Sequence, residues 1–109
     1  MHKFGAIVLV PFPFTDLTSA KVRPALVLSR KESEHGDLIL CFITSQNMSD
    51  VLHTIALPAD KDTCLKVQSL ARLDKIATLD QRVILGEIGH VTPAFLRKYS
   101  KSFQSIFGF

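Results

Sequence analysis

The sequence predicts a small, mostly β domain with one C-terminal helix, folded as a twisted barrel or half-barrel. Apolar segments of strand length alternate with polar turns, helical spacing of apolar residues begins only after Thr92, and 109 residues suit a single domain. With 47% apolar and 21% charged residues, the chain is able to build a core. Five or six short strands followed by one helix favour a small barrel with the helix over one opening, so we expect one domain over residues 1–109.

The first two strands lie in the N-terminal third of the chain. Ala6–Phe12 is a run rich in Ile and Val, and a Pro-Phe-Pro-Phe segment ends it before the polar loop 15–21. The second strand covers residues 22–29. Its Pro24 cannot donate to a β-ladder, so we expect this proline at a strand start or on an edge. This places Arg23 at the mouth of the strand.

The third and fourth strands are separated by a polar stretch. A charged turn at 30–37 leads into the apolar third strand, 38–43, which ends directly in the hydroxyl residues Thr44 and Ser45. Residues 53–57 alternate weakly between polar and apolar side chains, which indicates a half-buried fourth strand. Small hydroxyl groups therefore follow a core strand without an intervening turn.

Charged residues interrupt the fifth strand. Residues 69–73 and 76–79 both have strand character, and together they predict one bent or bulged strand. Arg72, Asp74 and Lys75 lie at its middle. We therefore expect three charged side chains at the point where the strand bends.

A short last strand and an amphipathic helix complete the predicted fold. Residues 85–91 form the strand, although glycines weaken the pattern. Thr92 is a suitable N-cap and Pro93 suits the first helical position. The apolar residues that follow have helical spacing: Phe95, Leu96, Tyr99, Phe103, Ile106 and Phe107. We expect this stripe to face the core, with Phe107 and Phe109 able to reach a dimer partner.

Charge and cysteine content restrict the possible partners. A net charge of +3 favours polyanions but falls short of the dense positive field of a histone-like protein. Cys41 and Cys64 lack metal-ligand spacing and are expected to be free thiols. His53 and Cys64 alone are too few ligands for a zinc site. No apolar run is long enough to span a bilayer, so we expect a cytoplasmic protein.

Several separated blocks resemble the PemK/MazF-like toxin family. The block from Gly5 to Asp16, which contains Pro-Phe-Pro-Phe-Thr-Asp, and the Arg-Pro-Ala-Leu-Val block within 22–29 are similar to the opening of these toxins. The Ile-Thr-Ser-Gln block at 43–46 and residues 72–80 also match, and 88–91 resembles the short strand before the family's helix. The resemblance covers nearly the whole chain in the right order.

This resemblance implies an SH3-like barrel, usually dimeric, that cleaves single-stranded RNA such as mRNA without a cofactor. It also implies a small antitoxin whose acidic, disordered segment lies across the active groove. By family pattern Arg23 and Thr44 are active-site residues, and some members use the Arg-x-Asp arrangement found here as Arg72 and Asp74. We expect polar residues around these four to contact RNA, namely Thr18, Ser19, Lys21, Ser45, Gln46 and Lys75.

The chemistry of RNA cleavage suits these residue types. RNA carries its own nucleophile, the 2′-hydroxyl group, so in principle no metal is required. The planar guanidinium of Arg23 can engage two phosphate oxygens, and oriented donors of this kind are typically worth about 10²- to 10³-fold in rate. Thr44 can add a neutral hydrogen bond to the same phosphate.

The group that transfers the proton is left open by the sequence. Asp74 can act as a base, but a carboxylate with a pKa of about 3.9 is poorly matched to neutral pH, so it can instead orient Arg72. His35 and His90 are general-base candidates by residue type alone.

Each candidate also has a structural interpretation. Arg23 can be a solvated surface charge, since an exposed ion pair contributes under about 1 kcal/mol. Thr44 and Ser45 can simply cap a strand end. Arg72 and Asp74, two residues apart on a strand, can form a plain salt bridge.

Two other function classes are open. One is an SH3-like module that binds RNA or an acidic peptide without catalysis, which two departures from the family pattern permit: Ala6 replaces a commonly acidic residue, and the loop 15–21 is short. The other is a toxin of the same barrel type that poisons a protein target such as gyrase. Neither has a need for a phosphate-activating cluster of Arg23, Thr44, Arg72 and Asp74.

Overall fold

The computed structural model describes residues 2–12, 21–30, 33–46 and 53–108. These residues form six strands, a short 3-10 helix and one α-helix. In chain order they are β1 (Ala6–Phe12), β2 (Lys21–Val27), β3 (Asp37–Thr44), β4 (Thr54–Leu57), β5 (Ser69–Asp80), the 3-10 helix (Gln81–Val83), β6 (Gly86–His90) and α1 (Pro93–Phe107). The predicted class, mostly β with a C-terminal helix, is confirmed.

All six strands belong to one antiparallel sheet with the order β4-β5-β3-β2-β1-β6. The sheet curls into a half-barrel, and the segment 58–68 that follows β4 reaches the opposite edge strand. There the backbone N–H of His90 in β6 donates to the carbonyl oxygen of Asp62 at 2.8 Å. The segment 58–68 thus supplies the acceptor for one backbone N–H on the β6 edge, and an N–H on an edge strand would otherwise lack a partner in the sheet.

A bulge bends β5 at its charged middle. Cys41 and Phe42 are adjacent on β3, but they pair with Ile76 and Arg72 on β5, so three residues of β5 are inserted between the two pairs. The first half of β5 also pairs with β4, where Thr54 lies opposite Arg72. The bent strand expected from the sequence is confirmed, and the bulge holds Asp74 and Lys75 outside the regular ladder.

The placement expected for Pro24 is wrong in detail. This residue lies inside β2, which begins at Lys21, and β2 is a central strand of the sheet. The pairing of β2 with β3 starts only at Ala25, so on that side no ladder requires the missing N–H of the proline. Arg23 and Pro24 pair with β1 but not with β3. At these two residues β2 therefore separates from the end of β3.

Apolar residues are buried on both faces of the curled sheet. On β1, Ile7 belongs to one cluster, while Val8 and Val10 belong to the other, as the two-residue period of a strand requires. Helix α1 covers the first face with Phe95 and Tyr99. The burial on both faces explains why the central strands read as nearly continuous apolar runs.

The helix begins as the sequence predicts. Thr92 is the N-cap and Pro93 follows at the start of the helix, although the Thr92 side chain forms no capping hydrogen bond. Gly108 ends the helix in the left-handed conformation with φ 77°. No helix in the described ranges is both long and apolar enough to cross a bilayer.

Candidate active site

A polar pocket lies where β2 diverges from the end of β3. Its volume is about 180 Å³. Its lining consists of Arg23, Phe42, Ile43, Thr44, Gln46, Arg72 and Lys75. The fold therefore gathers at one place side chains from β2, from the end of β3 and from the bulge of β5.

Five residues singled out in the sequence line this pocket: Arg23, Thr44, Arg72, Gln46 and Lys75. Three of them are cationic, and among the described residues no carboxylate forms a salt bridge with Arg23. Arg23 is exposed. Such a concentration of positive charge around a small concave space suits a phosphate group.

The hydroxyl group of Thr44 is held by its own turn. Its Oγ1 accepts a hydrogen bond from the backbone N–H of Gln46 at 3.1 Å. This contact uses the oxygen as an acceptor, so the hydroxyl hydrogen can be donated to an anion in the polar pocket. The interpretation of Thr44 as a strand-end residue is therefore compatible with a role in binding.

Arg72 and Asp74 form a bidentate pair. Nη2 of Arg72 lies 2.7 Å from Oδ2 of Asp74, and Nε lies 3.1 Å from Oδ1. Hydrogen bonding from Arg72 is the main cause that lowers the pKa of the Asp74 carboxyl below its usual value. Asp74 does not line the polar pocket. A carboxylate with a lowered pKa is a poor base at neutral pH, so the geometry supports an orienting role toward Arg72.

His53 is the residue near this pair that the sequence did not single out for catalysis. Its carbonyl oxygen accepts from the N–H of Leu73 at 2.9 Å. After the larger effect of the hydrogen bond from Arg72, an electrostatic interaction with His53 also lowers the pKa of Asp74. By contrast, His35 and His90 line neither of the two pockets described here. The register of β4 on β5, in which Thr54 pairs with Arg72, brings His53 close to Asp74. Local sequence patterns do not determine this register.

The other predicted RNA contacts are distributed around this site. Ser45 lines the larger neighbouring pocket, and Lys21 is exposed on β2 without lining either pocket. Thr18 and Ser19 lie outside the described residues, as does Phe109.

A larger, apolar pocket adjoins the polar one. Its volume is about 480 Å³, and it shares Arg23 and Ile43 with the polar pocket. The remaining lining residues come from β1, β2, the end of β3, the segment 58–68, β5 and β6: Leu9, Val22, Pro24, Ser45, Cys64, Leu65, Lys66, Val67, Ser69 and Ile88. This pocket was not predictable from local sequence patterns, because the residues that line it are far apart along the chain.

The two cysteines occupy different environments. Cys41 is buried in the first core cluster, and this burial raises the pKa of its thiol to about 12. Cys64 is exposed, and both are free thiols. In the described part of the chain, no group of three or more His, Cys, Asp or Glu residues is placed to hold a metal ion.

Comparison with known proteins gives a consistent set of relatives. A family described as "PemK-like, MazF-like toxin of type II toxin-antitoxin system" matches residues 3–107. No curated protein sequence matches the chain. The fold is similar to an endoribonuclease in complex with its cognate antitoxin from Mycobacterial species, with a TM-score of 0.78 and 19% identity over 100% of this chain and 97% of that one.

Two further solved structures share the fold. The MazE-MazF structure from Deinococcus radiodurans has a TM-score of 0.78 and 23% identity, covering 99% of this chain and 97% of that one. The Mycobacterium tuberculosis toxin MazF-mt6 has a TM-score of 0.75 and 17% identity, covering 95% and 97%. At these identities the likeness concerns the fold.

Proposed function

The chain belongs to the family of PemK-like, MazF-like toxins of type II toxin-antitoxin systems, and from this premise we propose that it is a metal-independent endoribonuclease. Its substrate is single-stranded RNA, including mRNA, and its nucleophile is the 2′-hydroxyl of the substrate. The observation that carries the proposal is the polar pocket, which is lined by three cationic residues, Arg23, Arg72 and Lys75, together with Thr44.

The reaction needs charge stabilisation more than a protein nucleophile. The 2′-oxygen loses its proton and forms a bond to phosphorus, and the bond from phosphorus to the 5′-oxygen breaks as that oxygen gains a proton. Negative charge develops on the phosphorane oxygens between these events. Arg23 and Arg72 donate to these oxygens, and Thr44 adds a neutral donor, each oriented donor contributing about 10²- to 10³-fold.

Asp74 acts as a positioning residue in this scheme. Both of its carboxylate oxygens accept hydrogen bonds from Arg72, which fixes the plane of the guanidinium. A fixed guanidinium presents its remaining N–H groups to the phosphate without losing rotational freedom during the reaction. The lowered pKa of Asp74 keeps the carboxylate charged at neutral pH and so maintains the pair.

The proposed biological setting follows from the family. Residues 1–109 act as a single toxin domain in the cytoplasm, as a homodimer, and an antitoxin with an acidic disordered segment inhibits it. The net charge of +3 and the cationic lining of the polar pocket favour such a segment. A non-catalytic binding module or a gyrase poison has no need for two arginines and a threonine around one small polar pocket.

The test is incubation of the purified protein with single-stranded RNA in EDTA, followed by identification of the fragment ends. We expect cleavage to persist in EDTA and to give a 2′,3′-cyclic phosphate, or its hydrolysis product, together with a 5′-hydroxyl. An RNA with deoxyribose at the ribose 5′ to the cut should bind but resist cleavage.

Two outcomes contradict the proposal in different ways. Efficient, EDTA-sensitive cutting of the deoxy-substituted strand indicates a metal-activated water and overturns the mechanism. Absence of cleavage of any RNA by folded, antitoxin-free protein overturns the endoribonuclease assignment itself.

A further inference from the structure

Lys75 lines the polar pocket but has no role yet in the proposed reaction. It lies in the bulge of β5, where it pairs with neither β3 nor β4. The residue is exposed, and no carboxylate in the described part of the chain forms a salt bridge with it. Its ammonium group is therefore available to an atom of the substrate.

The proposed cleavage requires an acid as well as hydrogen-bond donors. The 5′-oxygen leaves phosphorus as an alkoxide unless a proton reaches it while the bond breaks. A positioned side chain that transfers such a proton typically contributes about 10²- to 10⁴-fold in rate. A residue that supplies this proton is thus a major part of the catalytic site.

Within the described lining of the polar pocket, Lys75 is the residue whose side chain can release a proton and regain it. The guanidinium groups of Arg23 and Arg72 stay protonated in proteins, and Thr44 and Gln46 are neutral donors. An ammonium group carries three donor hydrogens and accepts no hydrogen bond. It therefore suits the role of an acid and not that of the base.

The other candidates for proton transfer are less suitable as acids. His35, His53 and His90 line neither pocket. Hydrogen bonding from Arg72 lowers the pKa of the Asp74 carboxyl, and both oxygens of Asp74 accept from Arg72. A carboxyl with a lowered pKa is ionised at neutral pH and has no proton to donate.

The order of the strands separates Lys75 from Arg23 across the polar pocket. Arg23 lies on β2, Thr44 ends β3 and Lys75 lies on β5, and these three strands are neighbours in that order. Since neighbouring strands are about 4.8 Å apart, β2 and β5 are separated by about 10 Å. In phosphoryl transfer the attacking and leaving oxygens lie roughly in line through phosphorus. A phosphate aligned across this span presents one of these two oxygens to the β5 wall, where Lys75 lies.

We infer that Lys75 is the general acid that protonates the leaving 5′-oxygen. The 2′-oxygen forms its bond to phosphorus and its proton passes to solvent. As the bond from phosphorus to the 5′-oxygen breaks, a proton passes from Nζ of Lys75 to that oxygen, and the neutral amine then regains a proton from water. This inference rests on the proposed ribonuclease function, because it assigns one step of that reaction.

A substrate whose leaving group needs no proton tests this role. Once the cut is mapped, an RNA 12-mer with sulfur in place of the scissile 5′-oxygen is compared with the ordinary RNA. Thiols ionise near pH 8.5, so the sulfur leaves as a thiolate without an acid. Lys75→Arg keeps the positive charge but cannot release a proton. At saturating protein we expect this variant to lose about 10²-fold or more in single-turnover rate on ordinary RNA, and less than about threefold on the sulfur-substituted RNA.

Two further variants serve as controls for the leaving-group effect. Thr44→Ala should lose the same factor on both RNAs, because Thr44 donates to the phosphorane oxygens and not to the leaving atom. Lys61→Arg is the matched lysine control, since Lys61 is exposed and lines neither pocket. It should cleave both RNAs at the wild-type rate.

Lys75→Ala provides a second test that does not depend on how an arginine fits the pocket. Added methylammonium can donate a proton in place of the missing side chain, whereas tetramethylammonium carries the same charge and has no such proton. We expect methylammonium to restore the rate of Lys75→Ala on ordinary RNA by about tenfold or more, and tetramethylammonium to leave it unchanged. Equal restoration by the two cations indicates a role of charge alone and overturns the inference.

The outcomes distinguish the inference from the proposed function. If the wild type cleaves RNA and Lys75→Arg loses equal factors on the two substrates, or loses nothing on either, the acid role of Lys75 is overturned and the ribonuclease stands. If the folded wild type cleaves neither RNA, the ribonuclease function is overturned, and the acid role of Lys75 with it.

Discussion

Gly89 is the position in β6 where a side chain has no room. A Cβ atom added there would lie 2.3 Å from the carbonyl oxygen of Thr63 and 2.5 Å from that of Asp62. Both atoms are backbone, so no side-chain rotation relieves the contact. The same Asp62 carbonyl accepts the hydrogen bond from the N–H of His90 at 2.8 Å. Gly89→Ala must therefore push the segment 58–68 away from β6.

The expected loss of stability follows from two contributions. Overpacking against a fixed neighbour typically costs about 1–3 kcal/mol, and the loss of a backbone hydrogen bond costs about 1 kcal/mol. We expect Gly89→Ala to lower the free energy of unfolding by about 3 kcal/mol, a large share of the total stability of a small domain. With a denaturant dependence of about 1.5 kcal/mol per molar urea, the unfolding midpoint should fall by about 2 M.

Gly86 supplies the matched control within the same strand. A Cβ atom at Gly86 meets no atom within 4 Å. Gly86→Ala should therefore change the free energy of unfolding by no more than about 0.5 kcal/mol. Urea unfolding followed by circular dichroism measures both variants. Equal stabilities of the two variants would refute the argument that the close approach of the segment 58–68 closes the half-barrel at β6.

Three further predictions concern single groups. Iodoacetamide at pH 8 should alkylate Cys64 in the native protein and Cys41 only in urea, because burial raises the pKa of Cys41 to about 12; alkylation of native Cys41 would contradict its buried placement. Hydrogen bonding from Arg82 lowers the pKa of Asp80 to about 2, so any stabilisation by this pair should persist above pH 4 and disappear as the pH falls toward 2. An NMR titration should show this pKa return toward its ordinary value in Arg82→Ala, and an unchanged value would exclude the pair as its cause. Asp74→Asn should lower kcat for RNA by up to about 100-fold through misplacement of Arg72, without shifting the rate-pH profile; a shifted profile would identify Asp74 as a proton-transfer group.

The sequence was most informative where short-range patterns determine structure. The apolar run of β1 predicted its bounds, and Thr92 with Pro93 predicted the start of α1. The interruption of β5 by charged residues predicted its bulge. Each of these features depends on neighbours within a few residues, which is the range over which periodicity and capping act.

Features that depend on register or on distant contacts were not predictable. The approach of His53 to Asp74 requires the pairing of Thr54 with Arg72 across two strands. The backbone hydrogen bond between β6 and the segment 58–68 joins residues that are far apart in the chain. The apolar pocket is likewise lined by residues that are distant in sequence. The 3-10 helix at Gln81–Val83 was missed although its signal was present, since Asp80 accepts from the N–H of Arg82 as an N-cap does.

The most direct test of the central claim is the single-turnover rate of RNA cleavage by Arg23→Ala beside Arg97→Ala. Both substitutions remove one positive charge, but Arg23 lines the polar pocket, whereas Arg97 is exposed on α1 and lines neither pocket. We expect Arg23→Ala to lose at least about 10²-fold, Thr44→Ala to lose less, and Arg97→Ala to cleave at nearly the wild-type rate. A folded Arg23→Ala protein that cleaves RNA as fast as the wild type, or an equal loss in both arginine variants, would contradict a role for Arg23 at the phosphate.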